Sequence, residues 1–256
     1  MAAAGSVQSV DRVLDILELL SDAPTGLLLS ELATAADLHI STTHRLVNVL
    51  VDRGYAVKET ASGKYRLTLR TFEIGCRVSG VWDLLTAARP LLEELAAESK
   101  EAVHLVERDG SSVVYLYKAE PYRQLVRMGS RTGLRNPMYC TGVGKSILAL
   151  LPREEVARIW ESETITAFSP NTITSLDRLQ TELELTRQRG YALDNEEHEA
   201  GVCCVACAIR NWAGLPVAAI SISAPASRMD AGMVETLLPR IRSVSDQLSR
   251  MLGFRE

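Results

Sequence analysis

Residues 26–54, GLLLSELATAADLHISTTHRLVNVLVDRG, predict two short helices joined by a tight turn. The first helix is predicted over residues 31–36, with Ser30 as its N-cap. The second helix begins near Ile40, because an apolar stripe recurs from there at helical spacing. The stripe consists of Thr43, Leu46, Val47 and Leu50. The opposite, outward face carries Ser41, His44, Arg45 and Asn48.

This arrangement is typical of a helix-turn-helix, in which the second helix enters the major groove of DNA. A wing is predicted directly after it, since residues 55–59 and 64–67 alternate like two strands around a turn at 61–63. We expect Lys64 and Arg66 of this wing to lie near DNA phosphates. The alternative is a helical hairpin with a hairpin cap that serves packing alone.

Positive charge gathers on the second helix and the wing. Residues 1–38 carry one basic and six acidic side chains, whereas residues 39–70 carry six basic and two acidic ones. The whole chain has a formal net charge of −4 and therefore no general affinity for polyanions. Residues 39–70 thus form a local basic surface suited to double-stranded DNA on a protein that is acidic as a whole.

Length and composition allow two domains. A chain of 256 residues with 46% hydrophobic content can bury a sizeable core. No apolar run approaches the roughly 20 residues that span a membrane. The first residues lack the basic and apolar regions of a signal peptide. These features predict a cytoplasmic protein without a membrane partner.

The cysteines do not form the pattern of a disulfide framework, because they are odd in number and few for the length. They are Cys76, Cys140, Cys203, Cys204 and Cys207. The segment 203–207 leaves a metal or redox sensor as an alternative. No second pair at structural-zinc spacing accompanies it, and neighbouring residues of a strand point to opposite faces. We therefore expect no metal and no cofactor.

The rest of the chain mixes helical and alternating patterns. Ser9 is predicted to cap a first helix, Asp83 to begin a long one, and Pro90 to kink or break it. Further helices are predicted at 146–151, 153–160, 175–189 and 231–252, and strands at 102–107, 113–117, 125–128, 191–194, 202–209 and 217–223. The predicted fold class is α+β: a winged helix-turn-helix over 1–67, a linker helix over 68–82, and an antiparallel sheet with flanking helices over 83–256.

A glycine-rich segment, Gly142-Val-Gly-Lys-Ser146, ends a predicted loop over 135–145. Glycine-rich loops before helices present amides to phosphate, but the full nucleotide-binding motif needs a glycine where Tyr139 stands. A nucleotide-binding enzyme is therefore only an alternative, and the same amides can bind a carboxylate. No Ser-His-Asp elbow, metal triad or dinucleotide fingerprint appears, so no enzyme is predicted.

Four segments, in this order, resemble the IclR family of bacterial transcription regulators. They are STTHRL at 41–46, MYCTGVGKSILA at 138–149, DNEEHEAGVCCVA at 194–206 and AAISISAP at 218–225. The resemblance implies a GAF-like effector domain, a dimer through the N-terminal regions and often a tetramer. It also implies a ligand-responsive repressor of a catabolic operon. A two-fold symmetric dimer favours a pseudopalindromic operator.

The resemblance also implies an effector pocket for a small organic acid. The matching residues here are Gly142, Val143, Asp194, Cys204, Ser221 and Ser223. The two serines are two positions apart on a strand and so share a face. We expect the ligand carboxylate to lie against the serines and loop amides, and a ligand hydroxyl to donate to an ionised Asp194. The segment NPMYCTGVGK at 136–145 is similar to regulators of sugar-acid breakdown, which favours a 2-keto-3-deoxy sugar acid as effector.

Overall fold

The computed structural model describes residues 7–75, 81–121 and 129–255, without the side chains of residues 81–83. Contacts within the chain form two compact units, Met1–Ser79 and Gly80–Glu256. The strand predicted at residues 125–128 lies outside the described residues. Among the described helices, none combines the length and hydropathy that a bilayer crossing requires.

The N-terminal unit is a three-helix core followed by a hairpin and a short helix. Its elements are α1 (Gln8–Ser21), α2 (Leu29–Ala35), α3 (Ile40–Asp52), β1 (Ala56–Lys58), β2 (Tyr65–Leu67) and α4 (Arg70–Gly75). β1 and β2 pair antiparallel, with Val57 opposite Arg66. Ile16 of α1, Leu32 of α2 and Val47 of α3 meet in one buried cluster. These elements form the winged helix-turn-helix that the sequence predicts.

The first two helices begin earlier than their predicted N-caps imply. α2 begins at Leu29, so Ser30 lies inside the helix and is not its N-cap. The Glu31 carboxylate accepts a hydrogen bond from the Leu28 amide at 2.7 Å and ties the entering chain to the helix. Ser9 lies inside α1, whose N-cap is Val7. Both predictions of a serine N-cap were wrong, because a nearby serine alone does not decide where the first turn of a helix forms.

The C-terminal unit is one antiparallel sheet covered by helices. Its elements are α5 (Val81–Ser99), β3 (Ala102–Asp109), β4 (Ser112–Ala119), β5 (Arg135–Pro137), α6 (Gly142–Leu148), α7 (Arg153–Ser162), α8 (Leu176–Arg189), β6 (Ala192–Asn195), β7 (Val202–Arg210), β8 (Pro216–Pro225) and α9 (Ala231–Met251). The strand order is β5-β4-β3-β8-β7-β6. Strands distant in sequence thus become neighbours at the centre of the sheet.

The sheet separates two cores. On one face, Cys203, Val205 and Cys207 of β7 pack with α5 and α9. On the other face, Ala206 of β7 packs with α6, α7 and α8. Alternation along β7 therefore places Cys204 on the opposite face from Cys203 and Cys207, as expected of a strand.

The outer edge of β7 is covered by side chains of α9. β6 pairs with β7 only as far as Ala192 opposite Ala206, so among the described residues no strand lies on this side of the rest of β7, whose other side pairs with β8. Ser245 Oγ donates to the Ala208 carbonyl at 2.6 Å, and Ser249 Oγ accepts from the Arg210 amide at 3.0 Å. Two serines of one helix thus satisfy the backbone where the sheet ends.

Pro90 does not break α5, which runs from Val81 to Ser99. Leu84, Ala88 and Leu92 of this helix are buried against the sheet. A proline removes one helical hydrogen bond, and burial of an apolar face outweighs that loss here. Of the predicted kink or break at Pro90, the break was therefore wrong and the kink stays a prediction.

Helix α6 begins at Gly142, four residues before the predicted start at Ser146. Thr141 is its N-cap, and the threonine Oγ1 accepts from the Gly144 amide at 3.2 Å. A Cβ on Gly144 would lie 2.3 Å from the backbone of Met138, so only glycine fits there. The glycines that suggested a loop therefore serve close packing at the start of a helix.

Candidate functional sites

The outward face of α3 carries the polar side chains that the sequence places there. Ser41, His44 and Arg45 are exposed, and Asn48 is half-buried beside them. Asn48 Nδ2 lies 3.3 Å from His44 Nε2. The start of α3 is held by His39, whose Nδ1 accepts from the Ser41 amide at 3.3 Å. This face has the length and polarity of a helix that reads base edges in the major groove.

The wing presents Arg66 on its surface and Lys64 half-buried. Arg66 Nε donates to Glu59 at 2.7 Å. That hydrogen bond lowers the pKa of the Glu59 carboxyl, with help from Ser62. Solvent screens this exposed ion pair, so a DNA phosphate can compete with Glu59 for the arginine.

A cavity of about 300 Å³ lies in the C-terminal unit, at one end of the sheet. Its lining residues are His104, Tyr115, Gly129, Ser130, Leu134, Asn136, Thr141, Asp194, His198, Glu199, Val202, Cys204 and Ser223. Asp194, Cys204 and Ser223 of the predicted effector set therefore share one cavity. None of the described lining residues is lysine or arginine.

Ser221 is buried behind Ser223, and both contact the same histidine. His104 lies on β3 directly opposite Ser221 of β8. Its Nδ1 is 3.4 Å from Ser221 Oγ and 3.3 Å from Ser223 Oγ, and its Nε2 is 2.8 Å from Ser130 Oγ. Burial, assisted by the charge of Lys118, lowers the pKa of His104 to about 3. His104 is thus a neutral ring that orients both predicted serines.

Gly142 and Val143 have different surroundings. A Cβ on Gly142 would lie 3.5 Å from the Cβ atoms of Asp194 and Cys204, so its backbone packs directly against these two residues. Val143 is buried in the core beneath α6. The first-turn amides of a helix have no carbonyl partner within the helix. Gly142 therefore adjoins the cavity residues, whereas the Val143 side chain belongs to the core.

Asp194 lies near the end of β6, 5% exposed, with its carboxyl in the cavity. Its Oδ1 accepts from the Glu197 amide at 2.8 Å. Burial, together with the charge of the neighbouring Glu197, raises the pKa of Asp194 to about 7 against the lowering effects of two backbone amides and Lys145. The expectation of a fully ionised Asp194 is corrected by this burial.

Lys145, the lysine of the glycine-rich segment, is 1% exposed and points into the protein. Its ammonium donates to Glu197 Oε1 and lies 3.8 Å from Glu182 Oε1. A nucleotide phosphate needs an accessible lysine at a loop. This geometry speaks against the nucleotide-binding alternative.

Cys203 and Cys207 are buried and Cys204 is half-buried in the cavity lining, and none of these thiols has the character of a reactive one. Burial raises the pKa of Cys203, raises that of Cys207 to about 12 and raises that of Cys204 well above its usual range. Reactive cysteines have depressed pKa values. Within the described residues, no group of three or more His, Cys, Asp or Glu side chains is arranged to hold a metal ion.

Sequence reasoning missed several residues of the cavity. They are His104, Tyr115, Ser130, Asn136, His198 and Glu199. A signal was present for His104, since it is the one polar residue in the apolar run 102–106. Its meaning depends on the pairing of β3 with β8, which the sequence does not reveal.

Two family models match the chain. The IclR helix-turn-helix domain matches residues 9–60, and the bacterial transcriptional regulator IclR C-terminal domain matches residues 76–250. The regulator KdgR of Escherichia coli K12 is 34% identical over 251 residues, which cover 98% of this chain and 95% of that protein. XynR of the same strain is 35% identical over 248 residues, covering 97% and 98%.

Solved structures match over the same length. The Thermotoga maritima IclR superposes with a TM-score of 0.80 at 30% identity, over 96% of this chain and 99% of that one. An IclR homologue of Microbacterium hydrocarbonoxydans, complexed with 4-hydroxybenzoate, gives a TM-score of 0.84 at 25% identity, over 95% and 98%. These matches confirm the α+β fold with an N-terminal helix-turn-helix. The relatives are regulators rather than enzymes, and the chain belongs to the IclR family of DNA-binding transcription regulators.

Proposed function

We propose that this regulator is a repressor of a catabolic operon that binds a pseudopalindromic operator and responds to a small organic acid. The observation that carries the proposal is the exposed polar face of α3 in a winged helix-turn-helix. DNA binding is assigned to residues 1–67, effector binding and further oligomerisation of dimers to residues 83–256, and the connection to residues 68–82. The proposal places the protein in the cytoplasm, together with its DNA.

Ser41, His44, Arg45 and Asn48 are proposed to contact base edges, and Lys64 and Arg66 to contact phosphates. Arg45 should contribute most to base recognition in this set, because a guanidinium can donate two hydrogen bonds to guanine. His44 and Asn48 contact each other and so present a joint polar surface. Ser41 lies at the start of α3, the end of a recognition helix that contacts base edges.

Arg45→Ala should weaken binding to the operator by about tenfold or more while the fold is kept, because an exposed side chain that reads a base is lost. The duplex for this mobility-shift assay is selected from random DNA with the wild-type protein. Arg53→Ala is the matched control, since it removes the same charge at the exposed C-terminal end of α3. Undiminished specific binding by Arg45→Ala would show that α3 is not the reading helix.

The effector is proposed to be an acid held in the 300 Å³ cavity by Asp194, Cys204 and Ser223, with Ser221 and the amides of Gly142 and Val143 behind them. A cavity of this volume is at the lower end for small ligands. Similarity to KdgR and the segment at 136–145 favour a 2-keto-3-deoxy sugar acid. The 4-hydroxybenzoate complex of a homologue makes an aromatic acid the second candidate.

A dimer is proposed because the N-terminal unit exposes apolar side chains that a monomer would leave in water. They are Val7 just before α1, Val10 and Leu14 on α1, Leu69 just before α4, and Phe72 and Ile74 on α4. Phe72 alone is 64% exposed. Surfaces of this kind mark association sites. Light scattering at micromolar concentration should give at least twice the monomer mass of 28.0 kDa, and a monomer would contradict the proposal.

A further inference from the structure

Another cavity, of about 210 Å³, lies in the C-terminal unit beside the outer edge of β7, where β6 has ended. It lies between the ends of α6 and α8, the second half of β7, and α9, and it shares no described lining residue with the effector cavity. The charged residues of its described lining are Arg187, Arg210, Arg242 and Asp246. We call it the arginine cavity, since its described lining carries an excess of positive charge.

Arg187 forms part of the wall of the arginine cavity. Its Nη1 donates to Glu184 at 2.8 Å, and its Nε donates to the carbonyl of Ala149, which follows the last turn of α6. The guanidinium is thus neutralised by a carboxylate of its own helix and ties α8 to the end of α6. Arg187 therefore shapes the cavity, and its charge is not left for a ligand.

Arg242 and Arg210 are half-buried, and neither forms an ion pair with a described residue. Arg242 reaches from α9 to the end of α8, where its Nη2 donates to the Arg189 carbonyl. Its Cζ lies 5.6 Å from the centroid of the Tyr191 ring. Arg210 of β7 lies over Phe254, with its Cζ 3.8 Å from the ring centroid. These contacts hold both guanidiniums in place but bring no carboxylate to them.

Half-buried arginines elsewhere in this unit do have a carboxylate. Arg189 donates to Glu182 at 2.6 Å, and Arg108 donates to Glu155 at 2.6 Å. A charge that is partly removed from water is stabilised by a nearby opposite charge. The guanidinium group also matches the geometry of carboxylate and phosphate oxygens. Two half-buried guanidiniums that line one cavity without such a partner are therefore suited to an anion from outside the chain.

We propose that the arginine cavity binds a small molecule through a carboxylate or phosphate group, at a site separate from the effector cavity. Arg242 is the main binding residue, and Arg210 is the second. A backbone donor lies on the same side, because the Ala208 carbonyl accepts from Ser245 at the outer edge of β7 and the amide of a strand residue points the same way as its carbonyl. The cavity is smaller than the roughly 300 Å³ at which ordinary ligand pockets begin, so the ligand is compact.

Asp246 opposes the proposed anion. It lies on α9 one turn after Arg242, is exposed, and lines the same cavity. Its carboxylate would repel an anion that Arg242 attracts, so the two residues should change anion affinity in opposite directions. This difference in sign separates a binding site from a purely structural arginine.

Calorimetry on the full-length protein tests the proposal, with inorganic phosphate and succinate as separate probes and chloride salts keeping the ionic strength constant. Arg242→Gln should weaken binding of the anion by about tenfold or more, because a hydrogen bond between two charged groups is lost. Arg178→Gln is the matched control, since it removes the same charge from an exposed site outside the cavity lining and should bind like the wild type. Only the binding that Arg242→Gln weakens is assigned to this cavity.

The two probes distinguish the possible sources of the anion. Binding of phosphate alone would indicate a phosphorylated ligand, and binding of succinate alone would indicate a carboxylic acid. Either result supports the site. If neither probe bound to the wild type, or if Arg242→Gln and Arg178→Gln bound equally well, the inference would be overturned.

Asp246→Asn keeps the test decisive even if Arg242→Gln does not fold. The substitution is nearly isosteric and its site is exposed, so the fold should be kept. Loss of this carboxylate should tighten binding of the anion by about two- to fivefold, the range expected for one screened charge. Affinity equal to that of the wild type would contradict an anion held beside Arg242.

Discussion

Lys145→Met should lower the free energy of unfolding by about 3–5 kcal/mol, because Glu197 would keep a buried charge without its cation. Lys145 is 1% exposed, and the Glu197 side chain is 8% exposed. Among the described residues, Oε2 of Glu197 has no hydrogen-bond partner, so little else compensates this carboxylate. Equilibrium denaturation in urea, followed by far-ultraviolet circular dichroism, measures the loss.

The double variant Lys145→Met with Glu197→Met is the matched control. Replacing both members of a buried pair by apolar groups is often neutral, so most of the stability should return. Arg240→Met removes a pair with Glu94 and Glu98 on the surface and should cost far less stability than Lys145→Met, because solvent screens exposed ion pairs. If the single and double variants lost equal stability, the ion pair would not be the cause.

Ser223→Ala should weaken effector binding by about one to two decades. A hydrogen bond to a charged ligand contributes about 1.5–3 kcal/mol, and the serine hydroxyl lines the cavity. Ser221→Ala should follow in the same direction, because His104 contacts both hydroxyls. Asp194→Ala should also weaken binding by this amount, since it removes the carboxyl group that is proposed to bond to the ligand. DNA affinity without ligand should barely change, because the two sites are coupled only through the bound ligand.

The ligand for this test comes from a thermal-shift screen of sugar acids, aromatic acids and short keto acids. Ser245→Ala serves as control, since Ser245 is equally buried but bonds to the Ala208 carbonyl outside this cavity. Stabilisation by aromatic acids alone would discard the sugar-acid proposal. Cavity variants that respond to the identified ligand like the wild type would discard the cavity as the effector site.

The local features of this fold were predictable because short stretches of sequence encode them. The stripe Thr43, Leu46, Val47 and Leu50 is buried as its helical spacing predicts. The helix predicted over 175–189 is α8, which Ser175 caps by accepting from the Arg178 amide at 3.3 Å. The turn residues at 61–63 likewise predicted the position of the wing. Each of these signals acts over a few residues and needs no knowledge of the tertiary fold.

The features that escaped prediction depend on contacts between distant parts of the chain. His104 meets Ser221 across 117 positions, and Lys145 meets Glu197 across 52. Residue type marks Asp194 as an acid, but its ionisation follows from burial in the folded protein. The start of α6 was misplaced for a similar reason, since its glycines are explained only by the nearby backbone of Met138.

The serines of α9 that satisfy the outer edge of β7 also bear on aggregation. An open strand edge can recruit a strand from another molecule and so begin uncontrolled sheet growth. Here the Ala208 carbonyl and the Arg210 amide are already occupied by Ser245 and Ser249. A foreign strand would have to displace a helix that is packed into the core before it could pair at these positions. The protein's own fold therefore protects this edge against pairing with another molecule.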